Sequence, residues 1–191
     1  MQTHDMTMTM VAATTALLAL TVAPAMAQDA DGRFDIGSSA TQEQIVGWDI
    51  DIHPDGTGLP EGSGTVAEGT EIYAYQCAHC HGEDPTEPVK GYPALAGGQG
   101  SLDTDKPVRT IGSYWPHATT VYDYVNRAMP FESPQSLAPD EVYAVTAYLL
   151  HVNDILPDDA TLDAGSLAAV RMPNADGFHS DIWPANQADA D

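Results

Sequence analysis

Both cysteines of this 191-residue chain lie in one short segment, CAHCH, at residues 77–81. Two cysteines that are separated by two residues and followed by a histidine occur in few kinds of site: a structural disulfide, a zinc site, a redox dithiol or an attachment site for haem. Each kind needs a different fold around it. The rest of the sequence must therefore decide between them.

The amino-terminal residues predict export from the cytoplasm. Residues 11–22, VAATTALLALTV, form an apolar run that is too short to cross a bilayer. Pro24 and the small-residue site at residues 25–27 follow, as in a cleaved secretory signal. We therefore predict a signal peptide over residues 1–27, a periplasmic location and no membrane span after cleavage. The segment before the apolar run has no Lys or Arg, which is unusual for a signal and leaves an uncleaved anchor as the alternative.

The charge of the remaining chain excludes one class of ligand. Residues 28–191 hold all six basic side chains and 27 of the 28 acidic ones, a net charge of −21. Nucleic-acid binding requires basic side chains that neutralise phosphates, so we predict no nucleic-acid partner. The same charge favours attraction to a basic face of a partner protein. An acidic surface adapted to saline surroundings is the alternative.

Breaker residues divide the chain after residue 27 into three parts. Residues 28–64 are dense in Gly, Pro and Asp, which predicts an extended N-terminal arm. Residues 65–156 carry the helix signals and predict the folded domain. Residues 157–191 are poor in periodic apolar residues and predict a C-terminal tail.

Three helices are predicted in the folded domain. The first begins at Thr65, which forms a capping box with Glu68, and it leads directly to the cysteine motif. The second lies within residues 117–128, and the third lies within residues 133–154 with Pro139 in its first turn. Long irregular loops join them, which favours a centre filled by something other than side chains. We therefore predict an all-α fold of about three to five helices around one bound group.

The motif is most consistent with haem. A zinc site needs further Cys or His ligands at suitable spacing, which the chain lacks. A thioredoxin-type dithiol expects a preceding strand, whereas a capped helix is predicted here. Cys-x-x-Cys-His is the attachment signature of c-type haem, so we predict one covalent haem c on Cys77 and Cys80, with His81 as an iron ligand. A structural disulfide remains the alternative.

The methionines limit the choice of a second iron ligand. Five of the seven lie within residues 1–27, which leaves Met129 and Met172. Met129 stands in RAMPF, between the second and third predicted helices, whereas Met172 lies in the predicted tail. We predict His81 and Met129 as the metal ligands, a pair that suits electron transfer. Met172, a histidine and an open iron site remain alternatives.

Several segments resemble class I cytochrome c over residues 65–155. CAHCHG, GYPALAGG, MPF and a final helix ending in AYLL follow one another as in that family. The resemblance implies that the Pro93 carbonyl bonds the imidazole of the proximal histidine and that Leu95 packs on the haem. It also implies that the first helix crosses the last helix at Gly69 and Tyr73.

Trp115, in GSYWPHATT, is a further candidate for contact with the haem. Its indole ring can pack on the haem edge, and its N–H can donate to a haem propionate. Plain core packing is the alternative. Arg109 and Arg127 are candidates for pairing with the propionates, against the alternative of ordinary surface ion pairs.

Longer stretches at residues 48–69, 97–150 and 172–178 are similar to the cytochrome subunit of the Sox sulfur dehydrogenase and to related sulfite dehydrogenase cytochromes. The resemblance implies a partner subunit that carries a molybdenum-pterin, and a downstream electron acceptor such as another cytochrome or an oxidase. The Sox subunit typically carries two cytochrome domains. This chain has one Cys-x-x-Cys-His motif, which implies a single-haem shuttle or a shortened subunit.

Together these features predict a periplasmic mono-haem cytochrome that accepts electrons from a sulfite or sulfane dehydrogenase and passes them to a later carrier. We interpret the chain as an electron-transfer protein rather than an enzyme. Two alternatives remain. One is a haem enzyme or sensor with an open distal site, and the other is a generic soluble shuttle to a respiratory oxidase.

Overall fold

The computed structural model of the chain describes residues 36–178. The predicted signal peptide, the first part of the predicted arm and residues 179–191 lie outside that part. The chain divides into two units, Met1–Ala40 and Thr41–Asp191. The first unit is described only over residues 36–40, which form no helix or strand. All the elements named below belong to the second unit.

Helices dominate the second unit. In chain order its elements are α1 (Gln42–Val46), β1 (Ser63–Thr65), α2 (Val66–Gln76), α3 (Ala78–His81), α4 (Ile111–Tyr114), α5 (Ala118–Ala128), α6 (Pro139–His151), β2 (Thr161–Asp163) and α7 (Ala164–Ala168). The two short strands pair antiparallel, with Gly64 opposite Leu162. The three helices predicted from the sequence correspond to α2, α5 and α6 and are confirmed.

The start signals of these helices act as predicted. The amide of Glu68 donates to Thr65 Oγ1 at 3.2 Å, and the Glu68 carboxylate accepts from the Thr65 amide at 2.9 Å, which completes the capping box of α2. Pro139 occupies the first turn of α6, where its missing N–H leaves no donor unpaired. These local interactions fix where α2 and α6 begin.

Helices α2 and α6 cross at very short range. A Cβ on Gly69 would collide with the backbone carbonyl of Ala144 and would stand 2.8 Å from the Cβ of Tyr148. The rings of Tyr73 and Tyr148 pack against each other at the same crossing, with centroids 4.8 Å apart. The crossing at Gly69 and Tyr73 that the sequence predicted is therefore confirmed.

Helix α6 is covered on every side, because all of residues 142–150 are buried. Part of that cover comes from the predicted N-terminal arm. The hydroxyl of Tyr143 donates to the Pro60 carbonyl at 2.8 Å, and Thr119 on α5 donates to the Pro54 carbonyl at 3.2 Å. Backbone carbonyl groups of this irregular segment thus accept hydrogen bonds from hydroxyl groups on α5 and α6. Residues 52–60 are fastened to the helices rather than extended into solvent.

The first part of the predicted C-terminal tail belongs to the core, which the sequence did not predict. Leu162 on β2, Leu167 on α7 and Met172 are 2%, 0% and 2% exposed. Each of these apolar residues sits in a strand or helix of five residues or fewer, or in a loop. Such short elements show no periodicity, so the sequence pattern could not reveal their burial. Within residues 36–178, no helix is both long enough and apolar enough to cross a membrane.

Candidate haem site

The cysteine motif occupies a turn at the carboxyl end of α2. The amide of Cys77 donates to the Tyr73 carbonyl at 2.9 Å and ends that helix, after which the four-residue helix α3 carries the motif to His81. Gly82 follows with a φ of 81°, and a Cβ there would collide with the Glu87 carbonyl. Only glycine can turn the chain at this point without strain. Both thiols and the imidazole are therefore presented from one tight turn.

The two cysteines form no disulfide, and Cys77 lacks the lowered pKa of a reactive dithiol. Both are free and half-buried. Burial raises the pKa of the Cys77 thiol to about 11, and the neighbouring Cys80 adds to the shift. Redox-active cysteines need the opposite, a lowered pKa that yields thiolate at neutral pH. The structure therefore disfavours the dithiol interpretation.

The imidazole of His81 is held by the loop that follows the motif. Its Nδ1 lies 3.2 Å from the Pro93 carbonyl oxygen, which can only accept a hydrogen bond. The proton must then be on Nδ1, which leaves the lone pair of Nε2 free for a metal. The structure thus places His81 and Pro93 together as the resemblance implied, and it orients the imidazole as an iron ligand requires.

Leu95 lies in the same loop and is tied to the core. Its amide donates to the Pro85 carbonyl at 2.9 Å, and its carbonyl accepts from Asn153 Nδ2 at 3.1 Å. Its side chain is only partly buried, although it packs against the core. Leu95 is thus an apolar residue whose side chain the rest of the protein covers only in part.

Trp115 and Met129 lie at the two ends of α5. Trp115 follows α4, is partly buried, and packs edge-on against Tyr124 with ring centroids 5.7 Å apart. Met129 follows the last residue of α5, and its amide donates to the Val125 carbonyl at 3.1 Å. The Met129 side chain is partly buried, whereas Met172 is 2% exposed and lies within the core cluster. The side chain of Met172 is therefore enclosed by protein, and that of Met129 is partly exposed.

These residues fit a haem better than a bare metal ion. Among residues 36–178, no group of three or more His, Cys, Asp and Glu side chains is placed to hold a metal ion. A haem iron needs only one or two protein ligands, together with apolar walls. The partly buried apolar residues that pack against the core include Ile72, Cys77 and Ala78, in or near the motif, and Leu95, Trp115 and Met129 farther along the chain. Their incomplete burial and the two free thiols match a covalently attached porphyrin.

Arg127, a sequence candidate for pairing with propionates, is already engaged. Its guanidinium donates to Asp123 at 2.7 Å and 2.9 Å and to Asp51 at 2.8 Å. These hydrogen bonds raise the pKa of Arg127 above its ordinary value. The Asp123 carboxylate also accepts from the Ile52 amide at 3.2 Å. Arg127 therefore links the arm to α5 in this structure.

Sequence reasoning missed Tyr92 at this site. Its ring meets that of His81 edge-on, with centroids 6.2 Å apart, and it is about half exposed. A hydrogen bond to the Cys80 side chain raises the pKa of the Tyr92 phenol. The one available signal was its place beside Pro93 in GYPAL, which says nothing about where the ring lies.

Comparison with known proteins identifies relatives of this chain. Residues 66–153 match the family model described as cytochrome c. A chain in the crystal structure of the sulfane dehydrogenase SoxCD from Paracoccus pantotrophus is 45% identical, with a TM-score of 0.72 over 83% of this chain and 76% of that one. The thiosulfate dehydrogenase of Stutzerimonas stutzeri (strain A1501) is 29% identical over 117 residues, which are 59% of this chain and 35% of the relative.

The chain therefore belongs to the cytochrome c family, whose members are haem-bearing electron carriers. Its class I cytochrome c fold and its single covalent haem c, both predicted from the sequence, are confirmed at this level. It is related to a component of a sulfur dehydrogenase complex. It spans about a third of the length of the curated relative, 35%, so that protein's whole activity does not carry over.

Proposed function

We propose that the chain is a periplasmic mono-haem cytochrome in which Cys77 and Cys80 carry the haem and His81 and Met129 ligate its iron. One observation carries the proposal. The imidazole of His81 is oriented by the Pro93 carbonyl, 3.2 Å from its Nδ1, in the same turn as two free thiols. When bound, haem c supplies a centre that takes up and releases one electron.

The surrounding residues have separate roles in this proposal. Pro93 fixes the tautomer and plane of the His81 imidazole. Leu95 and Trp115 cover apolar surface and exclude water from the porphyrin. Met129 would supply the second iron ligand, because its side chain is only partly buried whereas that of Met172 is enclosed. With two protein ligands on the iron, a substrate would have no coordination site, and the chain would act as a carrier rather than as an enzyme.

The donor in this proposal is a molybdenum-pterin dehydrogenase that oxidises sulfite or sulfane sulfur. The support is the 45% identity to a chain of the SoxCD sulfane dehydrogenase over most of both chains. The acceptor is a downstream cytochrome or oxidase. The periplasmic location rests on the signal pattern in residues 1–27, which lie outside the described part of the chain.

Acid denaturation and extraction with organic solvent test the covalent attachment. The colour should stay with the polypeptide at one haem per chain, because thioether bonds survive this treatment. A variant with Cys77→Ser and Cys80→Ser is the control and should release any haem it has bound. Free haem in the solvent phase from the unaltered protein would contradict the proposal.

Reduction by sulfur compounds tests the carrier role. Sulfite or thiosulfate alone should leave the haem oxidised on the timescale of turnover, and addition of a sulfite or sulfane dehydrogenase should reduce it rapidly. Rapid reduction by sulfite without any partner would instead support an enzyme with an open distal site.

A further inference from the structure

Tyr73 is a buried tyrosine that contacts both ends of the cysteine motif. It lies on α2, its side chain is 2% exposed, and its ring packs on that of Tyr148 from α6. Its backbone carbonyl accepts from the Cys77 amide at 2.9 Å, at the start of the motif. Its hydroxyl donates to the Gly82 carbonyl at 3.0 Å, and the His81 carbonyl lies 3.3 Å away, at the end of the motif.

The end of the motif needs such a donor. Gly82 has a φ of 81°, so the chain leaves the helical path immediately after His81. Carbonyl groups at a helix end have no partner within the helix, and a buried carbonyl without a donor is costly. Gly82 is buried. The phenol of Tyr73 meets this need.

The hydroxyl of Tyr73 acts as a donor over the whole physiological pH range. A tyrosine phenol ordinarily ionises only at about pH 10, so it keeps its proton at neutral pH. The ring cannot swing away easily, because it is enclosed at the crossing of α2 and α6. The Tyr73 hydroxyl is thus held in place by the packing of α2 on α6. Its hydrogen bond in turn holds the end of the cysteine motif.

We propose that Tyr73 is a positioning residue that clamps the Cys77–Gly82 turn, so that the imidazole of His81 keeps one orientation in both oxidation states of the haem. The inference rests on the proposed function, because it assumes that His81 ligates the iron. A rigid ligand frame reduces the rearrangement that accompanies electron transfer. The backbone carbonyl of Tyr73 holds the start of the motif and its hydroxyl holds the end, and both hydrogen bonds thereby limit the rearrangement of the turn during electron transfer.

Tyr143 provides a matched control. It is 0% exposed, and its hydroxyl also donates to a backbone carbonyl, that of Pro60 at 2.8 Å. Pro60 belongs to the arm and not to the motif. The substitutions Tyr73→Phe and Tyr143→Phe therefore remove the same chemical group from similarly buried rings. Only the first should affect the motif.

Amide hydrogen exchange of the haem-loaded protein measures the clamp. In Tyr73→Phe, exchange at the His81 and Gly82 amides should accelerate about tenfold more than it does in Tyr143→Phe, because the turn can open locally. The hyperfine-shifted haem methyl resonances of the oxidised protein should move in Tyr73→Phe and stay in place in Tyr143→Phe, since they report the plane of the axial imidazole. Equal responses of the two variants would overturn the inference and reduce Tyr73 to an ordinary core residue.

The unaltered protein supplies a second test, should Tyr73→Phe fail to fold. Its His81 and Gly82 amides should exchange as slowly as the interior amides of α2 and α6, through global unfolding only. Exchange through small local fluctuations would contradict the clamp. Haem content is measured first in every sample. Absence of covalent haem from the unaltered protein contradicts the proposed function itself, whereas a failed clamp leaves the haem and its redox activity in place.

Discussion

Met129 and Met172 show how burial distinguishes two residues that the sequence makes nearly equivalent. Both are followed by proline, and both follow a basic residue within two positions. Met172 is 2% exposed inside the core cluster, and Met129 is only partly buried after the end of α5. A thioether that is packed on all sides cannot also ligate iron. The difference in burial therefore favours Met129 as the distal ligand.

Replacement of each methionine by alanine should give opposite results. Met129→Ala should abolish the weak long-wavelength absorption of the oxidised haem that arises from sulfur ligation, with a modest loss of stability. Met172→Ala should keep that band but lower the free energy of unfolding by about 2–5 kcal/mol, because it leaves a cavity in the core. Absorption spectra and denaturant titrations measure both effects. Loss of the band in Met172→Ala alone would reverse the assignment.

The candidate site could be predicted where its residues are contiguous in sequence, and not where folding brings them together. Cys77, Cys80 and His81 form a motif, and the resemblance to class I cytochrome c added Pro93. The contacts of Tyr73 and Tyr92 with the motif depend on where a helix crossing and a loop place two aromatic rings. No spacing rule encodes those contacts, so sequence reasoning could not find them.

Among the elements, the long helices were predictable and the short elements, of five residues or fewer, were not. The capping box at Thr65 and the proline at position 139 mark α2 and α6 in the sequence itself. Strand β2 instead depends on its pairing with β1, 100 positions earlier, with Ser63 opposite Asp163. Helix α7 has a capping box at Asp163 but is only five residues long. Strand β2 and helix α7 each contain one large apolar residue, Leu162 and Leu167, so no periodic pattern reveals either element.

The burial of α7 predicts that this part of the chain contributes to stability. Leu167 is 0% exposed, so Leu167→Ala should lower the free energy of unfolding by about 2–5 kcal/mol. Val46, on α1, is 63% exposed, and Val46→Ala should change the free energy of unfolding by no more than about 0.5 kcal/mol. Denaturant titration of the haem-loaded variants measures the difference. Equal stability of the two variants would show that Leu167 contributes little to the core, as expected of the C-terminal tail that the sequence predicted.

The charge of the whole molecule is large but unevenly distributed along the chain. The full sequence carries a net charge of −22. Three of its six basic residues, Lys90, Lys106 and Arg109, lie in the loop between α3 and α4, which also carries Pro93 and Leu95. The same loop also holds five acidic residues, Glu83, Asp84, Glu87, Asp103 and Asp105, so its net charge is −2. Long-range attraction therefore depends on the acidic whole, whereas close approach near this loop meets basic and acidic side chains together. The two effects can be separated by ionic strength.

Small inorganic redox partners test which charge governs the approach. Oxidation of the reduced protein by a cationic oxidant of high potential such as tris(phenanthroline)cobalt(III) should slow as salt rises, and oxidation by anionic ferricyanide should accelerate, because attraction and repulsion beyond a Debye length of about 10 Å at 0.1 M are screened. Stopped-flow rates between low and high ionic strength measure both slopes. If instead the anionic oxidant slows with salt, the basic residues of the loop between α3 and α4 dominate. The variant Lys106→Glu should then reverse that slope, since it replaces a local attraction with a repulsion.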